Sequence, residues 1–297
     1  MAYGDAAIAE AARLIAAGRP VAVPTETVYG LAADAYDGAA VARVYQAKGR
    51  PSFNPLIVHV GDIAQASEIA LFDDESRALA EAHWPGPLTL VLPLRPGARI
   101  AALVTAGLAT IAVRAPAHPA MRDLLAAAGT PLAAPSANAS GRISPTRAEH
   151  VLASLGGRIP LIVDAGPTGH GLESSIVALT GGRPRLLRPG PIDLGLVLSE
   201  RGGDVEAPGQ LARHYAPAKP LRLDAAEARD GEWLIGFGAV AGDATLSASG
   251  DLVEAAAGLF ERLHEAERGP CPTIAVAPVP EVGLGAAIND RLRRAAA

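Results

Sequence analysis

Residues 39–60, AAVARVYQAKGRPSFNPLIVHV, hold a helical pattern and a strand pattern in one short stretch. Apolar residues first recur at helical spacing, and residues 55–60 then form the continuous apolar run typical of a buried strand. The loop between the two patterns carries Lys48, Arg50 and Asn54. The same alternation of helical and strand-like segments continues on both sides of this stretch, which predicts a mixed α/β or α+β fold.

Helical and strand-like patterns also organise the rest of the chain. The predicted helices are 5–17, 39–47, 62–70, 74–83, 119–128 and 146–155. The predicted strands are 20–25, 55–60, 88–94, 109–116, 131–135, 160–166, 174–180 and 183–190. Residues 199–220 contain several Gly and Pro and have little periodicity, which is typical of a linker. We therefore expect a large domain over 1–198, a linker over 199–220 and a small α/β domain over 221–297.

The composition excludes several classes of protein. With 297 residues, 49% of them hydrophobic and 19% charged, the chain can form a folded core and differs from a disordered segment. The longest uncharged apolar stretch, between Arg99 and Arg114, is shorter than the roughly 20 residues of a membrane helix. The N-terminus lacks the basic and apolar regions of a secretory signal, and the single cysteine, Cys271, excludes an internal disulfide or a cysteine-held metal cluster. We expect a cytoplasmic protein with no membrane contact.

Two rare residue types point to the loop at 48–54. Of the 26 basic residues only Lys48 and Lys219 are lysines, and asparagine occurs only at positions 54, 138 and 289. A lysine among so many arginines suggests a position that needs a compact ammonium rather than a planar guanidinium. Lys48 and Arg50 together suit a phosphate or a carboxylate, although the composition of the loop alone favours a solvated surface segment.

Two further loops concentrate polar residues after predicted strands. Residues 24–35 offer hydroxyls and a carboxylate from Thr25, Glu26 and Thr27, and the alternative is a turn with helix-capping hydroxyls. Residues 133–146 are rich in donors that could form a backbone nest for phosphate or ribose. Their polar and glycine positions are Ser136, Asn138, Ser140, Gly141 and Ser144.

A fourth polar loop, residues 164–177, contains three glycines before Ser174 and Ser175, and Arg188 follows at the end of a predicted strand. Glycine allows a ligand to approach the backbone closely, but Gly-rich turns between strands are also common. On its own this segment is compatible with both interpretations.

Several familiar motifs are absent from the sequence. There is no Walker loop, no G-x-G-x-x-G, no G-x-S-x-G and no histidine cluster with metal-ligand spacing. His59 and His118 each adjoin an apolar strand or a turn, which is more typical of structural histidines. The remaining combination is cationic, hydroxyl-bearing and Gly-rich, and it predicts a site for a phosphorylated ligand and a small polar acid without a protein-held metal.

Taken in order, these loops resemble the threonylcarbamoyl-AMP synthase family of YrdC-type enzymes. The family signature, K-x-R followed by S-x-N, is matched by Lys48, Arg50, Ser136 and Asn138. The further segments that resemble the family are PTETVYGL, NPLIVH, WPGPLTLVL, VRAPAHP, APSAN and ESSIV, within residues 5–195. HYAP at 214–217 and GLGAAINDRLRRAA at 283–296 resemble the linker and the C-terminal domain of the long, two-domain members.

The resemblance implies a fold and a reaction. The fold would be a YrdC-like catalytic domain over 1–198, with a twisted mixed sheet and helices, followed by a small Rossmann-like α/β domain. The reaction would join L-threonine, bicarbonate and ATP into threonylcarbamoyl-AMP with release of pyrophosphate. It is the first step of the threonylcarbamoyl-adenosine modification of tRNA, so downstream tRNA-modification proteins are expected partners.

The same resemblance implies roles for individual residues. Lys48 and Arg50 would be catalytic, with Mg²⁺ carried on the triphosphate and no protein cage for it. The residues implied for threonine are Thr27, His59, Arg114, Ala134 and Ser174. The residues implied for the nucleotide are Arg50, Asn54, Thr110, Ser136, Asn138, Ser144, Arg188 and Tyr215. For Tyr215 two interpretations stay open, a lid over the nucleotide and a simple hydrophobic anchor of the linker.

Two other functions compete with the synthase. One is a module of the same fold that binds structured RNA and has no such activity. The net charge of −5 disfavours it, because broad RNA-backbone binding needs a basic face. A local cluster of arginines could still override that average, and its members are Arg142, Arg147, Arg158, Arg183, Arg185 and Arg188. The other is a carbamoyl-transferring or hydrolytic relative, since a fold does not determine a function.

Overall fold

The computed structural model describes residues 1–199, 205–209 and 213–297. The helices of this described part are α1 Asp5–Ala16, α2 Gly38–Lys48, α3 Ile63–Ile69, α4 Asp74–His83, α5 Ala102–Thr105, α6 Pro119–Ala128, α7 Ala148–Leu155, α8 Leu252–Arg268 and α9 Leu284–Ala296. Its strands are β1 Val21–Pro24, β2 Tyr29–Asp34, β3 Ile57–His59, β4 Leu88–Pro93, β5 Thr110–Arg114, β6 Leu132–Ala133, β7 Ser175–Ala178, β8 Arg185–Arg188, β9 Leu221–Arg222, β10 Glu232–Gly236, β11 Ala244–Thr245 and β12 Thr273–Val276.

The larger sheet has the strand order β1-β2-β6-β3-β5-β4-β7-β8. It is mixed, because β3 pairs in parallel with β5 and β4 with β7, whereas the other neighbouring pairs are antiparallel. The mixed α/β class predicted from the sequence is therefore confirmed.

Helices cover the two faces of this sheet unequally. Near β1 and β2, helices α1 and α6 pack on one face and α2 and α7 on the other. Along β3, β4 and β5, helices α3 and α4 cover one face. The opposite face of these strands carries a smaller apolar cluster that includes Ile57, Ala112 and Ala207 of the linker. This second face is where the cavity described below lies.

Helix α2 brings its last residue, Lys48, to the edge of that cavity. It begins where the Asp37 carboxylate accepts hydrogen bonds from the Ala39 and Ala40 amides, as an N-cap does. It ends at Gly49, which has a φ of 60°. That left-handed conformation favours glycine and turns the chain directly after Lys48.

The smaller domain is a four-stranded parallel sheet in the order β11-β10-β12-β9. Helices α8 and α9 pack on it in a hydrophobic cluster that also takes in Val28, Ile143 and Leu172 of the larger domain. At Gly171, φ is +69° and an added Cβ would lie 2.4 Å from the Ala257 carbonyl oxygen of α8. The two domains therefore share one core, and the glycine loop of the larger domain lies directly against α8.

Two predicted segments differ from the structure. Within 24–35, predicted as a loop, Tyr29–Asp34 form strand β2, because β1 supplies an antiparallel partner and the strand is buried. Residues 160–166, predicted as a strand, make only isolated bridges at Ile162 and Asp164, so the apolar pattern there reflects burial rather than a ladder.

The predicted domain limits remain predictions. Residues 200–204 and 210–212, within the predicted linker, lie outside the described residues. Of the helices that the structure describes, none has the length and apolar character needed to cross a membrane.

Candidate active site

A narrow cavity opens at the carboxyl ends of β3 and β5. Because these strands are parallel neighbours in register, their last residues, His59 and Arg114, lie side by side. The loops after β1 and β6, the strand β8 and the linker complete the wall. The lining residues are Thr25, Thr27, Val28, Gly30, Arg50, Ile57, His59, Arg114, Ala134, Pro135, Ser136, Glu173, Ser174, Arg188, Pro208, Gly209, His214 and Tyr215.

Lys48 supports this wall from behind. Its ammonium donates to the carbonyl oxygens of Ser136, at 2.5 Å, and Asn138, at 2.6 Å, so the K-x-R and S-x-N segments are joined directly. Burial, and secondly the charge of Arg50, lowers the pKa of Lys48 well below its usual value. A nearby anion would restore the charged form, because opposite charge favours ionisation.

Arg50 is held by the loop that follows it. Its Nη2 donates to Asn54 Oδ1 and to the Pro55 carbonyl, both at 2.7 Å, and its Nε donates to the Asn54 carbonyl. Burial lowers the pKa of Arg50 to about 10, so the guanidinium stays charged at neutral pH. Asn54 therefore orients Arg50 through its side chain and its backbone.

Arg114 forms the opposite end of the cavity. Its Nη1 donates to Thr27 Oγ1 at 2.9 Å, its Nε donates to the Gly86 carbonyl, and its Nη2 lies 2.6 Å from a carboxylate oxygen of Glu26. Beside it, burial lowers the pKa of His59 to about 3, so this imidazole is neutral. The result is a fixed guanidinium fork next to a neutral hydrogen-bonding ring.

Ser174 and Arg188 meet on a third side. Arg188 donates from Nη2 to Ser174 Oγ and from Nε to the Ser174 carbonyl, both at 3.0 Å. The same Ser174 hydroxyl lies 2.7 Å from Thr89 Oγ1. Arg188 is thus fixed in position with part of its guanidinium facing the cavity.

A chain of buried polar contacts connects this wall to the smaller domain. Ser144 Oγ donates to one carboxylate oxygen of Glu173 at 2.5 Å, and Arg291 Nε of α9 donates to the other at 2.8 Å. Among its neighbours, the charges of Arg291 and then Arg188 are the main reason that the pKa of Glu173 stays below its usual value despite burial. Glu173 is therefore an ionised carboxylate held between the two domains.

The linker closes the cavity. Tyr215 is fully buried, lines the cavity and packs against Phe260 of α8, with ring centroids 5.7 Å apart. Arg291 lies over the same ring. Tyr215 thus touches both the cavity and the core of the smaller domain, so its position is compatible with both the lid and the anchor. The cavity volume is about 50 Å³, below the roughly 300–1,000 Å³ of ordinary ligand pockets.

Most residues singled out from the sequence come together here. Those in the lining are Thr27, Arg50, His59, Arg114, Ala134, Ser136, Ser174, Arg188 and Tyr215. Those that hold a lining residue from behind are Lys48, Asn54, Asn138 and Ser144. Thr110 differs, because it begins β5 whereas Arg114 ends it, and it is not in the lining. Its nucleotide role stays a prediction.

Three residues of the site were missed by sequence reasoning. Glu173 and His214 line the cavity, and each directly precedes a residue that was selected, Ser174 and Tyr215. Arg291 lies 118 residues from its partner Glu173, and no local signal connects the two.

The donor set of the cavity suits an anion. Arg50, Arg114 and Arg188 line the cavity with one lining carboxylate, Glu173, among the described residues, while Arg114 is also ion-paired with Glu26, which is not in the lining. Lining or adjoining groups that are buried without a hydrogen-bond partner among those residues include Asn54 Nδ2, His59 Nδ1 and His214 Nδ1, which is unusual unless a ligand supplies a partner. Within the described ranges, no group of three or more His, Cys, Asp or Glu side chains could hold a metal ion.

Comparisons with known proteins identify families and relatives that this chain resembles. Residues 13–190 match the Sua5/YciO/YrdC family model, described as telomere recombination, and residues 186–297 match the model of the threonylcarbamoyl-AMP synthase C-terminal domain. The chain is 40% identical to the threonylcarbamoyl-AMP synthase of Bacillus subtilis, over 100% of this chain and 94% of the relative.

A solved structure agrees with these sequence matches. The chain superposes on Pyrococcus abyssi Sua5 complexed with L-threonine with a TM-score of 0.89 and 38% identity, covering 97% of this chain and 94% of that one. The likeness to Escherichia coli YciO, at 21% identity and a TM-score of 0.55, is one of fold alone.

Proposed function

Because the chain belongs to the threonylcarbamoyl-AMP synthase family, we propose that it condenses L-threonine, bicarbonate and ATP into threonylcarbamoyl-adenylate and releases pyrophosphate. In this reaction the threonine amine attacks the carbon of bicarbonate and water is lost, which gives a carbamate. A carbamate oxygen then attacks the α-phosphorus of ATP, and pyrophosphate leaves. The product supplies the tRNA threonylcarbamoyl-adenosine modification that is characteristic of the family. An RNA-binding module without enzymatic activity is disfavoured by membership of an enzyme family.

The meeting of Lys48, Arg50 and Arg188 around one cavity is the observation that carries the proposal. A carbamate and a triphosphate are both anions, so their approach needs cations between them. Lys48 bonds the backbone of the S-x-N segment, and Arg50 is oriented by Asn54, so both charges are preorganised and cost little reorganisation during the reaction. Catalysis would consist mainly of positioning and charge stabilisation.

Threonine would bind at the Arg114 end. A guanidinium fork suits its carboxylate, and the neutral ring of His59 offers the Nδ1 atom, which has no partner among the described residues, to its polar groups. Thr27, Ser174 and the backbone at Ala134 complete this part of the wall. The solved complex of Pyrococcus abyssi Sua5 with L-threonine supports this substrate.

ATP would occupy the side formed by Arg50, Ser136 and Arg188, with Tyr215 above it. Asn54, Asn138, Ser144 and Thr110 are the remaining nucleotide residues of the proposal. Mg²⁺ would arrive with ATP as part of the substrate, since it often keeps waters and binds through phosphate oxygens. The cavity is too small for these substrates as it stands, so the linker would move aside before they enter and close again over the mixed anhydride.

A pyrophosphate-release assay tests the proposal. We expect release from ATP only when L-threonine and bicarbonate are both present, with serine a poorer substrate because it lacks the methyl group. Parallel reactions with threonine, serine and no amino acid separate the substrate from the reaction class. Release that is indifferent to threonine would contradict the proposal.

A further inference from the structure

The cavity lined by Arg50, Arg114 and Arg188 also holds the carboxylate of Glu173. No other described lining residue is an acid, and the side chain of Glu173 is 8% exposed. A negative charge in this wall opposes the carbamate and the triphosphate of the proposed reaction, because both are anions. A carboxylate at this place therefore needs a compensating charge.

The compensating charge comes from the smaller domain. Arg291 of α9 is fully buried and lies outside the cavity lining. Its Nε donates to Glu173 Oε2 at 2.8 Å, its Nη2 donates to the Glu173 carbonyl oxygen at 3.4 Å, and its Nη1 donates to Asp290 Oδ2 at 3.0 Å. All three nitrogens of this guanidinium are thus engaged within the protein, so Arg291 can act on a ligand only through its partners.

Stability alone does not explain this ion pair. Taking two charges out of water costs free energy that their attraction often only offsets, so apolar side chains of similar volume can stabilise an interface equally well. The domain interface already contains such side chains, because α8 and α9 share a hydrophobic cluster with Val28 and Ile143 of the larger domain. A buried pair with one member in the cavity wall is explained more directly by a role in the site.

Arg188 is the second cation whose charge acts on Glu173. Burial raises the pKa of Glu173, and the charge of Arg291 and, to a smaller extent, that of Arg188 lower it again. Arg188 nevertheless donates to the hydroxyl and the carbonyl of Ser174, and none of the ion pairs between described residues joins it to Glu173. Because Ser174 directly follows Glu173 in the chain, the carboxylate lies within electrostatic reach of Arg188.

Arg188 and Arg291 are also connected through the linker. The Cζ atom of Arg291 lies 5.2 Å from the centroid of the Tyr215 ring. At Gly209, φ is +84°, and an added Cβ would lie 2.9 Å from the Tyr215 hydroxyl and 3.2 Å from Arg188 Nη1. The Tyr215 ring thus extends from Arg291 to the place where the end of Arg188 lies. The surroundings of Arg188 are therefore closely packed and leave little room for water to screen its charge.

We propose that Arg291 is a positioning residue for the reaction, which holds and neutralises Glu173 so that Arg188 stays available to the phosphates of ATP. The role of Arg188 rests on the proposed function, in which it belongs to the nucleotide side of the cavity. Without Arg291, the next cation that acts on Glu173 is Arg188. An arginine paired with a carboxylate binds phosphate less well, because its donors are already occupied. The smaller domain would thus set the affinity for ATP through one side chain.

The test uses two variants of the full chain that break the same ion pair from opposite sides. R291Q leaves the carboxylate without its main cation and should weaken ATP binding by about tenfold or more, as loss of one charge-assisted contact does. E173Q removes the negative charge from the wall and should bind ATP at least about twofold more tightly. Both variants leave a buried charge unpaired and should lose stability, so a merely structural pair would weaken ATP binding in both.

Binding is measured by isothermal titration calorimetry with Mg²⁺ and an ATP analogue that has a methylene bridge between its α and β phosphorus atoms. This analogue cannot release pyrophosphate. The double variant E173Q/R291Q has neither charge and should recover most of the affinity lost in R291Q. R291K keeps a positive charge and should bind at least about threefold more tightly than R291Q. In pyrophosphate release, the KM for ATP should follow the same order, with a smaller change in kcat than in KM.

The matched control is R147Q. Arg147 Nε lies 2.6 Å from Glu261 Oε2 of α8, so this variant also breaks an arginine–glutamate pair between the two domains. Neither residue lines the cavity, and both are partly exposed. R147Q should therefore change the affinity for the analogue by less than about twofold. Urea unfolding of every variant shows how far affinity follows stability.

Four results would overturn the proposal. They are weaker binding of the analogue in E173Q, equal losses in R291Q and R147Q, a double variant that binds no better than R291Q, and no binding by the unmodified chain. E173Q tests the effect of the charge even if R291Q does not fold. Failure of the proposed function would be seen as pyrophosphate release that is indifferent to threonine in the unmodified chain. The binding measurements do not depend on turnover, so the two failures are distinguishable.

Discussion

At the scale of single residues, Lys48 both joins the K-x-R segment to the S-x-N segment and supplies a positive charge beside the cavity. The ammonium donates to the carbonyls of Ser136 and Asn138, and its third acceptor is Asn138 Oδ1 at 3.5 Å, a long contact that an approaching anion would replace. An arginine would put a wider, planar charge in the space that this compact ammonium fills. This explains why one of the two lysines of the chain stands at this position.

The first prediction concerns this ammonium. Lys48→Ala should lower pyrophosphate release by roughly ten- to a hundredfold or more, because one charge-assisted contact contributes about 1.5–3 kcal/mol. The matched control is Lys219→Ala, which also removes an ammonium that donates to two carbonyls, those of Ala266 and Gly269, at a distance from the cavity. Equal activity in the two variants, with both folded by circular dichroism, would remove Lys48 from the reaction.

Residues of the site could be predicted from the sequence where a segment carried a residue type that is rare in this chain. The scarcity of lysine and asparagine selected Lys48, Asn54 and Asn138 before any contact was known. Glu173 and Arg291 could not be selected in this way, because their importance arises from a buried ion pair between distant parts of the chain. Burial of a charge is a property of the tertiary structure and leaves no periodic signal in the sequence.

At the scale of elements, the site depends on strand ends and on the linker. The parallel pairing of β3 and β5 aligns His59 with Arg114. The sequence predicts both strands, at 55–60 and 109–116, but not that they pair. Strand β2 was missed because its sequence, YGLAAD, contains glycine and alanine, which have low strand propensity. Its pairing with β1 and complete burial of its first five residues override that propensity.

The second prediction distinguishes the two roles of Tyr215. If the linker is a lid, Tyr215→Ala should lower the ratio of intact threonylcarbamoyl-adenylate to AMP, because water gains access to the mixed anhydride. Tyr215→Phe retains the packed ring and should retain most of that ratio. The product ratio is measured by chromatography of quenched reactions.

Phe260→Ala provides the control for this prediction. It removes a buried ring that packs on Tyr215 but does not line the cavity. Each alanine variant should lose roughly 3–5 kcal/mol of stability, as deletion of a buried aromatic ring usually does. A Tyr215→Ala variant that is destabilised like Phe260→Ala but keeps an unchanged product ratio would identify Tyr215 as an anchor only.

At the scale of the whole molecule, the two domains are joined by apolar packing and by buried titratable groups. The rings of His150 in α7 and His264 in α8 stack across the interface with centroids 3.7 Å apart. His150 lies 3.7 Å from a Glu261 carboxylate oxygen, which also pairs with Arg147. Burial lowers the pKa of His150 to about 4 and that of His264 to about 3, so both rings are neutral at pH 7.

The third prediction is acid lability of this interface. In the unfolded chain these histidines take up protons near pH 6.5, whereas in the folded chain they do so only near pH 4 and 3. The unfolded state therefore binds more protons below pH 6.5. The free energy of unfolding should fall as the pH decreases from 6.5 to 4, by up to about 1.4 kcal/mol per pH unit for each proton.

Urea unfolding at a series of pH values measures this slope. The variant H150Q/H264Q should have a shallower slope than the unmodified chain, with the remainder coming from other buried histidines such as His59 and His214. An identical slope in the variant would show that the interface pair does not cause the pH dependence of the free energy of unfolding.

Domain contacts of this kind could not be predicted from the sequence, which indicated two domains but not which faces meet.

In the proposed reaction, threonine, bicarbonate and ATP are joined into one molecule at the cavity. The most direct test is mass spectrometry of the products formed with ¹³C-labelled bicarbonate. We expect threonylcarbamoyl-adenylate that carries the label, formed in step with pyrophosphate and strongly reduced in Lys48→Ala. Formation of AMP or ADP without any labelled threonine adduct would contradict it.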